Sequence, residues 1–240
     1  MFTPRFPLRQ PVIILGLSAI SVAVLLGLGY LPESFLLMRL LQVAAALTLL
    51  SIGIISLTPV YRRVALVLIL GIGVLAGIRA HYASPRAVAY VASLLSYVGT
   101  PYVWGGESPR GLDCSGLLRR AYVMACLRDV PVQGDPGLLA RAFVVWLNDA
   151  SAAHLQSGYD GRTVPTGVRG AIVAMDPTHL RPGDMAITLN GIHCLAYLVD
   201  GRWISADPGA GQVIITCMPD PTFSWFLSQV VMQRWKALQA

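Results

Sequence analysis

Charge is what this chain has least of. Asp, Glu, Lys and Arg make up 12% of its residues against 55% that are hydrophobic, a balance too apolar for a wholly soluble domain. The shortage is uneven, because residues 1–83 hold six Arg and one acid, Glu33. Cysteine is scarce too: Cys114, Cys126, Cys194 and Cys217 in 240 residues make no disulfide framework, and no Cys-x-x-Cys spacing points to zinc. No internal repeat or low-complexity tract is present. The net charge of +6 looks basic enough for a polyanion partner, yet residues 84–240 carry 11 Arg and one Lys against 10 Asp and one Glu. That leaves no electrostatic footprint for nucleic acid, and the positive excess belongs to the flanks of apolar runs.

Three such runs precede residue 83. Residues 12–31 are uncharged, long enough at about 1.5 Å per residue to cross a hydrocarbon core of about 30 Å. Residues 40–60 form a second run after Arg39. Residues 64–78 form a shorter third, between the pair Arg62 and Arg63 and the single Arg79. This last one reaches across only if Arg79 snorkels or residues 80–83 continue the helix. The pattern predicts about three transmembrane helices, near 12–31, 40–60 and 64–80, followed by a second domain over 84–240. The first run follows Arg5 and Arg9 as a signal peptide would, but it is long, lacks an Ala-x-Ala cleavage pattern and is followed by further spans, so it is read as retained. Arg5, Arg9, Arg62 and Arg63 share one side of the bilayer, while Glu33, Arg39, Arg79 and Arg86 lie on the other. The positive-inside rule then puts the N-terminus in the cytoplasm and the C-terminal domain outside it.

From Pro85 the texture changes to short apolar segments punctuated by Gly, Pro and Asp. Residues 86–98 read as a helix with Val88, Val91, Ala92 and Leu95 on one face, and a turn-rich passage follows. Next comes Leu112-Asp113-Cys114-Ser115-Gly116, where Leu118, Ala121, Tyr122 and Ala125 recur at helical spacing while Arg119 and Arg120 fall outside the stripe. Asp113 stands as an N-cap, which sets Cys114 in the first turn. Free N–H groups and the helix dipole there favour a thiolate, although a buried inert cysteine fits the same local context.

A nucleophilic thiol needs a base, and a third group to orient that base. His81 lies at the membrane edge, and His154 and His179 fall in polar, loop-like surroundings. His193 follows the turn Arg181-Pro182-Gly183-Asp184, a strand over 185–189 and the hairpin signal Asn190-Gly191, and it opens a strand over 192–198. The next strand, 203–207, returns through residues 199–202. A two-residue turn there puts Asp207 on the face opposite His193. A three-residue loop with Gly201 in the left-handed position pairs Leu198 with Arg202, and so His193 with Asp207. We favour the second register, with Asp207 as the residue that orients the imidazole and Ser205 as the alternative. Residues 138–148 read as a helix, and 157–169 as a loop forming a wall or lid.

Three ordered stretches carry a resemblance: Gly99-Thr100-Pro101-Tyr102-Val103-Trp104-Gly105-Gly106, then Leu112-Asp113-Cys114-Ser115-Gly116-Leu117, then Arg181-Pro182-Gly183-Asp184 followed by His193. In these the chain resembles the NlpC-type cell-wall peptidases, a branch of the papain-like cysteine hydrolases. The resemblance implies an α+β fold with a nucleophile-bearing helix packed on an antiparallel sheet. It makes Cys114 the nucleophile and His193 the base, with Tyr102, Asp113 and Ser115 lining the acyl side of the cleft and holding the substrate's amino end. Trp104 and the Gly105-Gly106 pair shape that cleft. It implies acyl transfer on peptidoglycan peptides without metal or cofactor, and the apolar runs would hold that enzyme on the lipid bilayer. The family's third polar residue is commonly His, Asn or Gln. Counting here lands on Ser205, a poor orienter, which leaves Asp207 as the candidate. Cys126, Cys194 and Cys217 are read as packing residues, and nothing supports a Cys194–Cys217 disulfide. Two other readings stand beside this one: an amidase or acyltransferase of the same superfold acting on another amide or a lipid-linked substrate, and a non-catalytic wall- or partner-binding module, which a Cys114 remote from any imidazole would favour.

Overall fold

The computed structural model describes residues 9–31, 36–220 and 222–238. Arg5 and Glu33, used above for orientation, lie outside them. The described chain divides into two compact units that meet between Gly73 and Val74.

The first unit holds helices α1 (Arg9–Tyr30), α2 (Leu36–Ser56) and most of α3 (Pro59–Arg79). Among the described residues two helices, α2 and α3, are long and apolar enough to cross a membrane, and residues Ile13–Leu28 of α1 form a further apolar helical stretch. Two of the three expected spans thus pass that test, and the run expected to be weakest is one of them. It gains its length at the front. Pro59, whose missing N–H costs nothing in a first turn, starts the helix five residues before the uncharged stretch, and the helix ends at Arg79 rather than continuing through residues 80–83. Hydroxyls in α2 bond back to carbonyls one turn earlier, Thr48 to Ala44, Ser51 to Leu47 and Ser56 to Ile52 at 2.8–2.9 Å. Their donors are therefore satisfied without solvent.

The second unit is α+β. After α4 (Ala87–Leu95) come a small hairpin, β1 (Glu107–Ser108) and β2 (Gly111–Leu112), the long α5 (Cys114–Gln133), α6 (Gly137–Leu147) and α7 (Ala152–Gln156). The six strands β3 (Thr163–Ala171), β4 (Met185–Thr188), β5 (Cys194–Tyr197), β6 (Arg202–Asp207), β7 (Gln212–Cys217) and β8 (Gln229–Trp235) form one antiparallel sheet in the order β3-β8-β4-β5-β6-β7. Alternation along the strands sends Met185, Ile187, Cys194, Ala196, Ile204 and Ala206 toward α5 and its neighbours. Ala186, Leu195, Tyr197, Trp203 and Met232 go to a second core closed by Ile172, Met175 and Phe226. Covered on both faces, β4 and β5 are buried at every position, as their unbroken apolar character requires.

One local expectation is corrected. Residues 163–169, read as part of a lid loop, belong to the edge strand β3, whose register shifts between Pro165 and Arg169. An edge strand with a bulge accommodates the Pro and Gly that gave those residues a loop-like appearance. Arg119, outside the apolar stripe of α5, is 1% exposed. It pairs with Glu107 and, at 2.7 Å, with Asp149, and donates to the carbonyls of Val145 and Asn148 at 2.9 and 2.6 Å. One buried guanidinium thus ties α5 to β1 and to the end of α6. Arg119→Ala leaves Glu107 half-buried without that partner and is expected to cost about 3–5 kcal/mol, read as a fall in the urea midpoint of the detergent-solubilised full chain followed by tryptophan fluorescence.

Candidate active site

Asp113 builds the start of α5. In extended conformation, its Oδ1 accepts from Gly116 N at 2.6 Å and from the Ser115 hydroxyl at 2.9 Å, while Oδ2 accepts from Gly105 N at 2.9 Å. Its own N–H donates to Gly106 O at 3.0 Å. A Cβ on Gly116 would run into that same Gly106 oxygen, and one on Gly106 would meet Gly111 O at 2.5 Å. The glycines of the two sequence stretches are therefore what lets the turn at 105–106 lie against the first turn of α5. Cys114 is its first residue.

His193 is held by its backbone, donating to Thr188 Oγ1 at 3.1 Å and accepting from Thr188 N at 3.0 Å. It stands one position before β5. The loop to β6 has the three-residue form: Leu198 N donates to Arg202 O at 2.9 Å, with Asp200 and Gly201 both in the left-handed region. Cys194, directly after His193, points toward α5 and is fully buried.

These elements bring Cys114 against both residues. The Cys194 thiol is the largest influence on it. Hydrogen bonding to that thiol, to the His193 imidazole and to Cys194 N–H, with the imidazole's charge, holds Cys114 well below the usual thiol range, although burial alone would raise it. Burial, and then the hydrogen bond to Cys114 and its charge, push Cys194 well above that range. Cys194, packed in the core, thus also acts on Cys114. Cys126 is buried, with burial pushing its thiol up to about 12, and Cys217 is exposed rather than packed in apolar surroundings. All four cysteines are free.

Tyr102, Asp113 and Ser115 lie around the same sulfur. Burial first and the negative charge at Cys114 second push Tyr102 up to about 12, so its hydroxyl stays protonated. The same two causes, in the same order, raise Asp113 despite the three hydrogen bonds that favour its charge. Access is narrow. Cys114 is 7% and His193 1% exposed, between Trp104 at 80% and Ile192 at 60%. Cavities of about 720 Å³ beside Arg141 and about 460 Å³ beside Val91 contain neither residue of the pair.

Among the described residues no hydrogen bond joins the expected orienter to the imidazole. Asp207 Oδ1 accepts from Trp225 Nε1 at 2.9 Å and Oδ2 from Ala210 N at 2.7 Å. The Trp225 ring lies stacked on His193, centroids 4.1 Å apart and planes 20° from parallel. His193 Nε2 and Ser205 Oγ, both buried, have no hydrogen-bond partner among the described residues. Sequence reasoning missed Trp225, which comes from a turn-rich segment with no periodicity to give it a face. It misjudged Cys194, whose position opposite His193 in the alternation was legible while the helix start above it was not. Among the described residues no group of three or more His, Cys, Asp or Glu is placed to hold a metal ion.

A family model described as NlpC/P60 matches residues 99–232, more than half the chain. A probable endopeptidase of Mycobacterium tuberculosis is 33% identical over 99 residues, 37% of this chain and 26% of that protein. Murein DD-endopeptidase MepH of Escherichia coli is 50% identical over 46 residues, 18% of this chain and 17% of that protein. The aligned parts thus take in about a quarter or less of these relatives. Among solved structures, an NlpC/P60 family protein from Bacillus cereus has a TM-score of 0.42 and 18% identity, covering 64% of this chain and 41% of that one.

Thiolate reactivity is present above the lowered Cys114 pKa and is lost as pH falls through it. Alkylation of Cys114 by iodoacetamide, followed in a Cys217→Ser background to remove the exposed thiol, should therefore persist well below the ordinary thiol range. Cys194→Ala should move the loss of reactivity to higher pH, and Cys194→Ser, which keeps a donor, should move it less.

Proposed function

The chain belongs to the NlpC/P60 family, and from that membership we propose that it is a membrane-held cysteine peptidase cleaving amide bonds in peptidoglycan peptides through Cys114. The observation that carries this reading is the meeting of a depressed thiol at a helix start with an imidazole, the constellation that nucleophilic acyl transfer requires. The Cys114 thiolate attacks the scissile carbonyl, and backbone N–H groups at the very start of α5 stabilise the oxyanion. His193 protonates the departing amine, then takes a proton from the water that hydrolyses the thioester. No step calls for a metal or cofactor.

The acyl side of the cleft falls to Tyr102, Asp113 and Ser115. A carboxylate offers about four acceptor directions, of which Gly105, Ser115 and Gly116 use three on Asp113. The fourth, with the protonated Tyr102 hydroxyl nearby, suits a substrate ammonium. The relatives named as endopeptidases and the family match support a cell-wall peptide as substrate. Helices α2 and α3 support an anchor within roughly the first 83 residues, and the distribution of Arg across the flanks supports a hydrolase domain outside the cytoplasm.

Digestion of purified muropeptides by the full chain in detergent, read by mass spectrometry, tests the chemistry. Cys114→Ala and His193→Ala should each lower peptide release by about 10³-fold or more, and undiminished cleavage by Cys114→Ala would end the proposal. Anchoring is tested separately: the chain should stay in the pellet when membranes are washed with alkaline carbonate.

A further inference from the structure

The imidazole needs something to fix its plane. The ring's last torsion is broad and roughly two-fold, and a hydrogen bond on the nitrogen away from the nucleophile is the usual means of fixing it. Here, among the described residues, Nε2 is buried without a partner, and so is the hydroxyl of Ser205. We propose that Trp225 is the positioning residue for His193, holding the imidazole by its face, and that Asp207 acts through Trp225 rather than on the histidine. This inference rests on the cysteine-peptidase reading above.

The geometry is a chain of three contacts. Ala210 N donates to Asp207 Oδ2 at 2.7 Å, Trp225 Nε1 donates to Asp207 Oδ1 at 2.9 Å, and the indole lies over the imidazole at 4.1 Å and 20°. A ring stacked at that distance cannot turn about its torsion without driving an edge into the indole, so the face contact restrains the same motion that a hydrogen bond would. The indole face also suits the positive charge the imidazole acquires when the thiol loses its proton. The indole plane in turn needs an anchor, and the carboxylate supplies one at the only donor the ring has. The three-residue β5–β6 loop brings Asp207 to the end of β6 where this can happen. Trp225 itself is half-buried in the short turn Ser224–Leu227 and packs at the edge of the second core, whose fully buried member in that turn is Phe226.

Steady-state muropeptide cleavage by full-length variants tests this, with unfolding midpoints measured alongside. Trp225→Leu should lower kcat by about 10- to 100-fold, as a misaligned catalytic group does, with KM within about twofold and an unfolding midpoint still above the assay temperature. Trp225→Phe, which keeps the stack and loses the Nε1 donor, should recover most of that loss. Asp207→Leu should lower kcat in the wild-type background and have little further effect in Trp225→Phe, the non-additivity expected of two groups acting in series. Equal rates for Leu and Phe at position 225 would overturn the positioning role. A full Asp207→Leu penalty in the Trp225→Phe background would show instead that the carboxylate acts on His193 directly. The parent reading fails on a different result, retained cleavage by Cys114→Ala.

Discussion

The carboxylate of Asp113 joins two pieces of chain that sequence order keeps apart. With one oxygen it completes the first turn of α5, and with the other it fastens the glycine turn at 105–106. Everything that makes Cys114 reactive depends on that joint. It fixes the direction in which the sulfur leaves the helix, and it presses the turn carrying Tyr102 and Trp104 to the same side. The cost is visible in Asp113 itself, whose charge is disfavoured by burial and by the neighbouring thiolate. Three hydrogen bonds are what a carboxylate needs in order to remain in such a place. The absence of side chains at Gly106 and Gly116 has the same origin, since a single methyl at either would push the joint open.

On the opposite wall the sheet does two jobs with consecutive residues. Period-two alternation sends His193 and Cys194 to different sides of their strand, yet both reach the sulfur, because the strand ends beneath the helix start. Both lower the Cys114 thiol pKa, Cys194 most of all. Thr188 on the neighbouring strand keeps the backbone at this point from sliding, with its main chain and its hydroxyl both engaged by His193.

Much of this was legible beforehand, and the parts that were not share a cause. Caps, turns and helical stripes are local, so the start of α5 at Cys114, the hairpin at Asn190-Gly191 and the loop that ends at Gly201 could be read from adjacent residues. The register across that loop followed from its length. What could not be read was which distant segment fills the space beside a residue once its face is known. Asp207 was on the favoured face, but an indole from the turn before β8 took one of its oxygens and the Ala210 N–H the other. Arg119 stood outside the apolar stripe and yet was buried, because Glu107 and Asp149 come to it from other elements. Residues 163–171 had the glycines and proline of a loop, and only the presence of β8 alongside makes them a strand.

Cys114 is 7% exposed and His193 1%. A folded neighbour keeps its own main chain beneath side chains and cannot lower a carbonyl into so small an opening. A thin, flexible strand of a few residues can. An enzyme so recessed could share crowded surroundings with other proteins and leave them whole, its selectivity set by reach before any chemical recognition begins.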